Sequence, residues 1–405
     1  MGEFKVNGDR LMETLRDLIR IPSVNPSLVP GGDGEAAVGA YVEGRLARLG
    51  LSVERQDLGA GRVNIIATLK GAGGGGGSAA GAGGAAPGRG RSLMLNGHLD
   101  TVGVAGMEID PFDPRVEGNR VYGRGSHDMK ASLAAMIEVA EALVEGHARL
   151  AGDLVLTFVA DEEYASIGTE RVAQTHRADA AIVCESTGLD IVNVHKGFAW
   201  VRVGVYGVAA HGSLADAGVD AIAKAGRFLV EMERYGRDVL GARSHPVVGS
   251  PSVHASLIKG GTELSTYPDR CVVELERRVI PGETRQMVAD EMAGLVRAAG
   301  AGDPRFKAEA ELFFYRSPME VGAEEPIVKA LERAHQAVVG RPAALGGMGG
   351  WCDTSILTDA GIPAVLFGPG GSGAHAAIEW ADFDQVVTAT KVLGEVVREF
   401  CGSGE

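Results

Sequence analysis

Cysteine is scarce in this chain. Cys184, Cys271, Cys352 and Cys401 are four among 405 residues, widely spaced and without a C-x-x-C pair. That argues against a disulfide-stapled scaffold and fits a reducing, cytoplasmic setting. Aromatic residues make up only 5%, so Ala, Val, Leu and Ile must fill the core. No apolar run approaches the roughly 20 residues that span a bilayer. The charged residues Glu3, Lys5, Asp9 and Arg10 are not followed by the apolar stretch of a secretory signal, so none is expected. Positive charge is short as well: 39 Lys and Arg stand against 53 Asp and Glu, a net charge of -14. So acidic a chain argues against nucleic acid and anionic membranes as partners, since both demand a basic surface.

Length and glycine are what the chain has in quantity. At 405 residues it exceeds one ordinary compact core, and two domains are expected. The densest glycine run is GAGGGGGSAAGAGGAAPGRG at 71–90. A phosphate cradle would need a helix N-terminus directly behind it. An apolar strand follows instead, so a flexible surface connection is the reading.

Periodicity sets the architecture. Leu11, Leu15, Leu18 and Ile19 share one face of a helix over 8–21, and a second helix covers 34–50. Strand-like runs follow at 51–53, 64–69 and 92–96. A long helix is predicted over 126–144, with Leu133, Met136, Ile137, Ala140 and Leu143 as its buried face. Strands at 154–160 and 180–183 flank a helix at 168–174. Such alternation predicts an α/β domain with a mostly parallel sheet. Near residue 197 the pattern changes to β-α-β-β-α-β: strands at 198–206, 252–258, 271–278 and 307–314, helices at 219–235 and 284–298. This is the ferredoxin-like split βαβ order. The α/β pattern resumes with a helix at 325–339, a strand at 364–367 and a helix at 382–400. The domains expected are therefore 1–196 with 318–405, and an inserted 197–317, with a hinge where the chain crosses twice.

Five metal-seeking residues are spread along the first of these: His98, Asp128, Glu163, Glu185 and His375. Each follows an apolar or Gly-rich segment, where open α/β sheets build their sites. Two imidazoles and three carboxylates suit two divalent cations of borderline hardness sharing one bridging carboxylate. In LMLNGHLDTV, Asp100 is placed to accept the other ring N–H of His98. In GRGSHDMKAS, Asp128 stands at the start of the long helix; a helix cap is its plain alternative, and His127 its competitor, but a bridge needs two oxygens. In FVADEEYASIGT a buried strand ends in Asp161, Glu162 and Glu163, acids that repel one another unless cations offset them. There Glu163 would bind metal and Glu162 would handle a proton. AIVCESTG delivers Glu185; Cys184 beside it reads as a small hydrophobe. GPGGSGAHAAIEW delivers His375, with glycines such as Gly370 permitting a substrate carboxylate to approach backbone N–H groups. Glu379 is placed to orient a neighbour. Taken together, these residues point to a two-metal hydrolase acting on a carbonyl.

From about residue 10 to 400 the chain resembles the M20 metallopeptidases, the group of acetylornithine deacetylase, succinyl-diaminopimelate desuccinylase, aminoacylase and glutamate carboxypeptidase. GHLDTV, GRGSHDMK, ADEE, the Glu185 segment, AHGS and GPGGSGAH carry the resemblance. It implies a metal-binding domain with a lid, two zinc ions (cobalt or manganese as alternatives), and a homodimer made through the lids. One metal would take His98, Asp128 and Glu185; the other Asp128, Glu163 and His375. Glu162 would be the general base, and a cis peptide would follow Asp128. In the lid, His211 matches a histidine that steadies the oxyanion from across the dimer, and Arg278 an arginine that grips a substrate carboxylate. Arg277 beside it points the opposite way in a regular strand. Many relatives carry Asn where this chain has Ser265, and Trp351 and Cys352 add bulk or softness near the cleft, so the resemblance does not fix the substrate contacts. The function implied is deacylation of an N-acyl amino acid. A dipeptidase or carboxypeptidase of the same chemistry is one alternative, a non-catalytic metal or amino-acid binding protein another.

Overall fold

The computed structural model describes residues 4–73 and 90–403. The surface connection read at 71–90 lies almost wholly outside the described residues. The chain packs into two compact units. The larger comprises 1–193, 321–346 and 352–405, the smaller 194–320 and 347–351.

The larger unit is built on a sheet whose strands run in the order Ser52–Gly59, Arg62–Leu69, Leu154–Val159, Leu93–His98, Ala180–Val183, Ala364–Leu366, Ile191–His195. The middle four are mutually parallel. The flanking pairs are antiparallel. All residues of those four strands are buried, as expected of parallel strands covered on both faces. Their C-terminal ends lie on one side of the sheet, where Asp161, Glu162, Glu163 and Glu185 leave their strands and His98 ends its own.

Helix starts follow local chemistry. Asn7 caps Gly8–Arg20 and Asp382 caps Phe383–Phe400, each accepting backbone N–H bonds. The helix Ala131–Glu145 is buried almost all round, wider than the single face its sequence period suggests. Even Glu138 and Glu141 are buried, because Arg10 Nε reaches Glu138 at 2.7 Å and Arg45 Nη2 reaches Glu141 at 2.6 Å. That helix also begins five residues later than the pattern predicts. Ser126–Lys130 is a tight turn in which Asp128 (φ -124°, ψ 93°) and Met129 (φ -132°, ψ 32°) are not helical, and the Asp128–Met129 peptide is cis. The helix-cap alternative for Asp128 therefore falls.

The smaller unit carries an antiparallel sheet in the order Ser252–Gly260, Arg270–Val279, Gly197–Tyr206, Lys307–Arg316. Helices Ala221–Arg234 and Arg285–Gly300 are capped by Asp220 and Thr284. Ala199, Val201, Val203 and Val205 alternate into a core with Phe228, Val273, Leu275, Val288 and Met292. On alternate positions stand Phe198, Trp200 and, across the register, Phe314; the Trp200 and Phe314 rings stack at 4.9 Å.

Candidate metal centre

His98 ends its strand 2% exposed. Its Nδ1 lies 2.8 Å from the backbone carbonyl of Asp100. That oxygen can only accept, so it fixes the proton on Nδ1 and turns the Nε2 lone pair toward the carboxylates. The Asp100 carboxylate, expected to do this, stands off at 3.7 Å. It accepts the backbone N–H of Glu162 at 3.2 Å and of Glu163 at 3.3 Å instead. The correction has a steric cause: two residues past His98 the chain has already turned, and the main-chain oxygen is the nearer acceptor.

Asp128 is shared between two imidazoles. Its Oδ1 is 3.0 Å from His98 Nε2, and its Oδ2 is 3.3 Å from His375 Nε2. His98 Nε2 also faces Glu185 Oε1 at 3.5 Å, and His375 Nε2 faces Glu163 Oε2 at 3.1 Å. Ligand atoms of His98, Asp128 and Glu163 lie within 4.8 Å of one another, as do those of His98, Glu162 and Glu185. One oxygen of Glu163 is buried with no hydrogen-bond partner. A buried carboxylate oxygen left so is costly unless a cation meets it.

The electrostatics agree. Burial, reinforced by Glu185, pushes the Glu162 carboxyl well above its usual range. Burial pushes Glu185 up to about 8 and raises Glu163. Burial opposes charge on His98, yet Glu185 and Asp128 hold its proton well above the ordinary value. Hydrogen bonds to Asp128 and Glu163 push His375 up to about 10. Asp128 goes the other way: burial would raise it, but the His375 and His98 hydrogen bonds bring it below the usual carboxylate range. Acids that keep protons and imidazoles that keep theirs describe a cluster short of positive charge. The nitrogen and oxygen donor set, the two-sided Asp128 and the orphaned Glu163 oxygen fit two divalent cations.

His375 sits at φ 60°, a strained left-handed conformation for a non-glycine residue. Gly373 before it has φ 84°, and a Cβ there would meet the Ile378 carbonyl at 1.9 Å, so glycine is obligatory. Gly370 packs against Gln385, whose Oε1 lies 2.5 Å from where a Cβ would stand. That packing accounts for the glycine without a substrate. Cys184 is buried and its Sγ points to the Ile182 carbonyl.

Sequence patterns undervalued Glu379. It is fully buried, and its carboxylate takes Arg124 Nη1 at 2.7 Å and the backbone N–H of Gly125, His127 and Asp128 at 2.9, 2.9 and 3.0 Å. One side chain thus ties the His375 segment to the turn that presents Asp128. Its sequence signal was its place four residues after His375. Asn25, Arg62 and Asp353 near the centre gave no such signal.

The remaining candidates belong to the smaller unit. His211 is exposed with Nδ1 2.8 Å from Ser213 Oγ. It stands next to Ser265: Gly212 N–H donates to the Ser265 carbonyl at 2.7 Å. Arg277 and Arg278 do point opposite ways. Arg277 is buried, forked onto Glu283 at 2.9 and 2.6 Å. Arg278 is half-buried over the Phe198 ring, and its Nε meets Glu276 at 2.7 Å. Trp351 packs edge-on against Phe198.

The sequence profile of peptidase family M20/M25/M40 matches residues 94–399, three-quarters of the chain. The chain belongs to this family. It is a hydrolase acting on amides, with the candidate ligands of a dinuclear M20 metal site. The M20 chain is 29% identical over 371 residues to acetylornithine deacetylase of Myxococcus xanthus, covering 89% of this chain and 91% of that one. It is 26% identical to N-formyl-4-amino-5-aminomethyl-2-methylpyrimidine deformylase of Bacillus subtilis, covering 92% and 91%. Its fold matches aminopeptidase PepT of Bacillus cereus with a TM-score of 0.77 at 21% identity, over 98% of this chain and 100% of that one. A dinuclear metal-binding M20 peptidase of Bacillus subtilis matches with a TM-score of 0.71 at 18% identity, over 96% and 97%.

Proposed function

We propose that this M20 hydrolase deacylates an N-acyl amino acid, cleaving its amide into a carboxylate and a free amine. The observation that carries the reading is Asp128, whose two oxygens face two different imidazoles. Two divalent cations, zinc or else cobalt or manganese, would be held by His98, Asp128 and Glu185 and by Asp128, Glu163 and His375; when bound they would polarise the carbonyl and acidify a water. Glu162, beside the ligands, takes the proton of the attacking water and returns it to the departing amine. His211 donates to the oxyanion, and Arg278 pairs with the substrate carboxylate.

The functional division proposed is a catalytic part, 1–196 with 318–405, and a lid, 197–317. A homodimer through the lids is part of the proposal. Its support is the edge strand Ser252–Gly260, where Leu257 and Ile258 are 64% and 57% exposed. A cytoplasmic setting is supported by four free, buried cysteines. Among the described residues, no helix is long and apolar enough to cross a membrane.

Glu162→Ala should keep both metals and lose nearly all turnover. Near-wild-type turnover would refute the base assignment. Loss of metal would favour a second reading, Glu162 as a ligand, which its closeness to His98 and Glu185 supports. A panel of N-acetyl, N-succinyl, N-formyl and dipeptide substrates separates a deacylase from a dipeptidase or carboxypeptidase. No hydrolysis across it with metals bound would leave a binding protein.

A further inference from the structure

Beneath the acidic turn lies a chain of buried polar groups that the proposed chemistry does not use. Glu35, at the head of the helix Ala36–Arg48, is fully buried. Its two oxygens take Arg62 Nε and Nη2, both at 2.6 Å, a forked pair. Arg62 Nη2 reaches on to Asp161 Oδ1 at 2.9 Å. Asn25, also fully buried, bridges the rest: its Nδ2 donates to the same Asp161 oxygen at 3.1 Å and to Asp100 Oδ2 at 2.7 Å. The Asn25 Oδ1 is itself fixed by the Ser27 N–H at 2.8 Å.

Both ends of this chain grip the backbone that aims Glu162 and Glu163. Asp100 holds their two N–H groups. Asp161 sits at φ 71°, the left-handed region that costs a non-glycine residue energy. Its carbonyl accepts the N–H of Tyr164, Ala165 and Ser166, closing the turn. Asp161 is therefore no ligand, although it shares the acidic run. Its carboxylate is turned inward, and its backbone twist separates the directions of the acids after it.

We propose that Asn25 and Arg62 are positioning residues: a buried brace that locks the Asp161 turn and so sets where the Glu162 and Glu163 carboxylates stand. This rests on the roles given above to those two acids. Glu35 supplies the charge that keeps Arg62 buried. Ordinary fold stability does not require Asn25 to join two carboxylates from separate segments, whereas aiming a turn does.

The test is Asn25→Ala, with circular dichroism confirming the fold. Hydrogen exchange across 160–167 should quicken at least tenfold, with the strand Leu93–His98 unchanged. Cobalt titration should show affinity weakened 10- to 100-fold, the usual scale for groups behind metal ligands. With a substrate found by the amide panel, kcat should fall by a similar factor and KM by less than threefold either way. Arg62→Lys, which keeps a cation beside Glu35 but not the fork, carries the same readouts if Asn25→Ala does not fold. Unchanged exchange at 160–167 overturns the brace. Quickened exchange with wild-type cobalt affinity and kcat overturns its role in positioning. Should the wild-type protein bind no cobalt and cleave no amide, the proposed function fails, and the exchange data judge the brace separately.

Discussion

Replacing Glu379 by Gln changes one atom, and the structure gives the size of the response. The carboxylate serves four N–H donors, those of Arg124, Gly125, His127 and Asp128, at 2.7 to 3.0 Å. A glutamine amide offers one oxygen and two donor hydrogens. Whichever way it turns, two of the four donors lose their acceptor and face N–H instead. A hydrogen bond to a charged group contributes about 1.5–3 kcal/mol, so Glu379→Gln should cost about 3–6 kcal/mol. Glu379 is fully buried and Arg124 is 2% exposed, so water does not soften the loss. At roughly 2–4 °C per kcal/mol, the calorimetric midpoint should drop by about 6–24 °C. The Asp128 turn loosens at the same time, and cobalt affinity should weaken by about 10- to 100-fold. A variant with its midpoint within about 2 °C of wild type and unchanged cobalt affinity would refute the reasoning, because the four donors would then have other acceptors.

Two further outcomes can be checked. In metal-stripped protein, Glu185 at about 8 and His375 at about 10 hold protons that the unfolded chain releases near its ordinary carboxylate and imidazole values. The folded state then binds more protons than the unfolded one across roughly pH 4.5 to 10, so stability falls as pH rises through that window. Differential scanning fluorimetry after chelation should show a midpoint declining from pH 6 to 9, and reloading should remove the slope; a flat or rising midpoint in stripped protein contradicts the cluster's electrostatics. The adjacent arginines should separate cleanly. Arg277→Met removes the forked partner of buried Glu283, which keeps Arg243 at 2.7 Å, and should cost about 1.5–3 kcal/mol in denaturant titrations. Arg278→Ala breaks only a half-buried pair, should cost no more than about 1 kcal/mol, and should raise KM for a carboxylate-bearing substrate at least tenfold. Equal stabilities would remove the distinction.

How much could be read from the residues depended on whether a feature was periodic. The alternation of Ala199, Val201, Val203 and Val205 and the apolar runs read at 92–96, 154–160 and 180–183 were legible because period and burial coincide. The same strand ends made His98, Glu163 and Glu185 legible as candidates that the fold brings together. Asp128 was found, but the helix predicted from 126 began too early: Ser126–Lys130 has no Gly or Pro to announce a non-helical turn, and only the family resemblance, with its cis peptide after Asp128, pointed to one. The strand Ile191–His195 was missed because five residues of mixed polarity match no template. Asn25, Arg62 and Glu379 were invisible or underweighted for another reason. Each works through hydrogen bonds to residues far along the chain, and a polar residue's sequence looks the same whether it is solvated or fully satisfied inside.

The insertion of the smaller unit has a consequence for synthesis. His98, Asp128, Glu163 and Glu185 emerge from the ribosome first, yet Ala364–Leu366, which lies between Ala180–Val183 and Ile191–His195 in the sheet, emerges far later. At ordinary translation rates that interval is roughly 10 to 40 s. During it the nascent sheet holds a slot one strand wide and a half-built nest of acids. His375 closes the nest only when the chain is nearly finished. A truncated product ending inside the insertion would carry three of the candidate carboxylates and His98, without His375 to complete the group. Quality control of such fragments is a hazard that this order of segments builds into every round of translation.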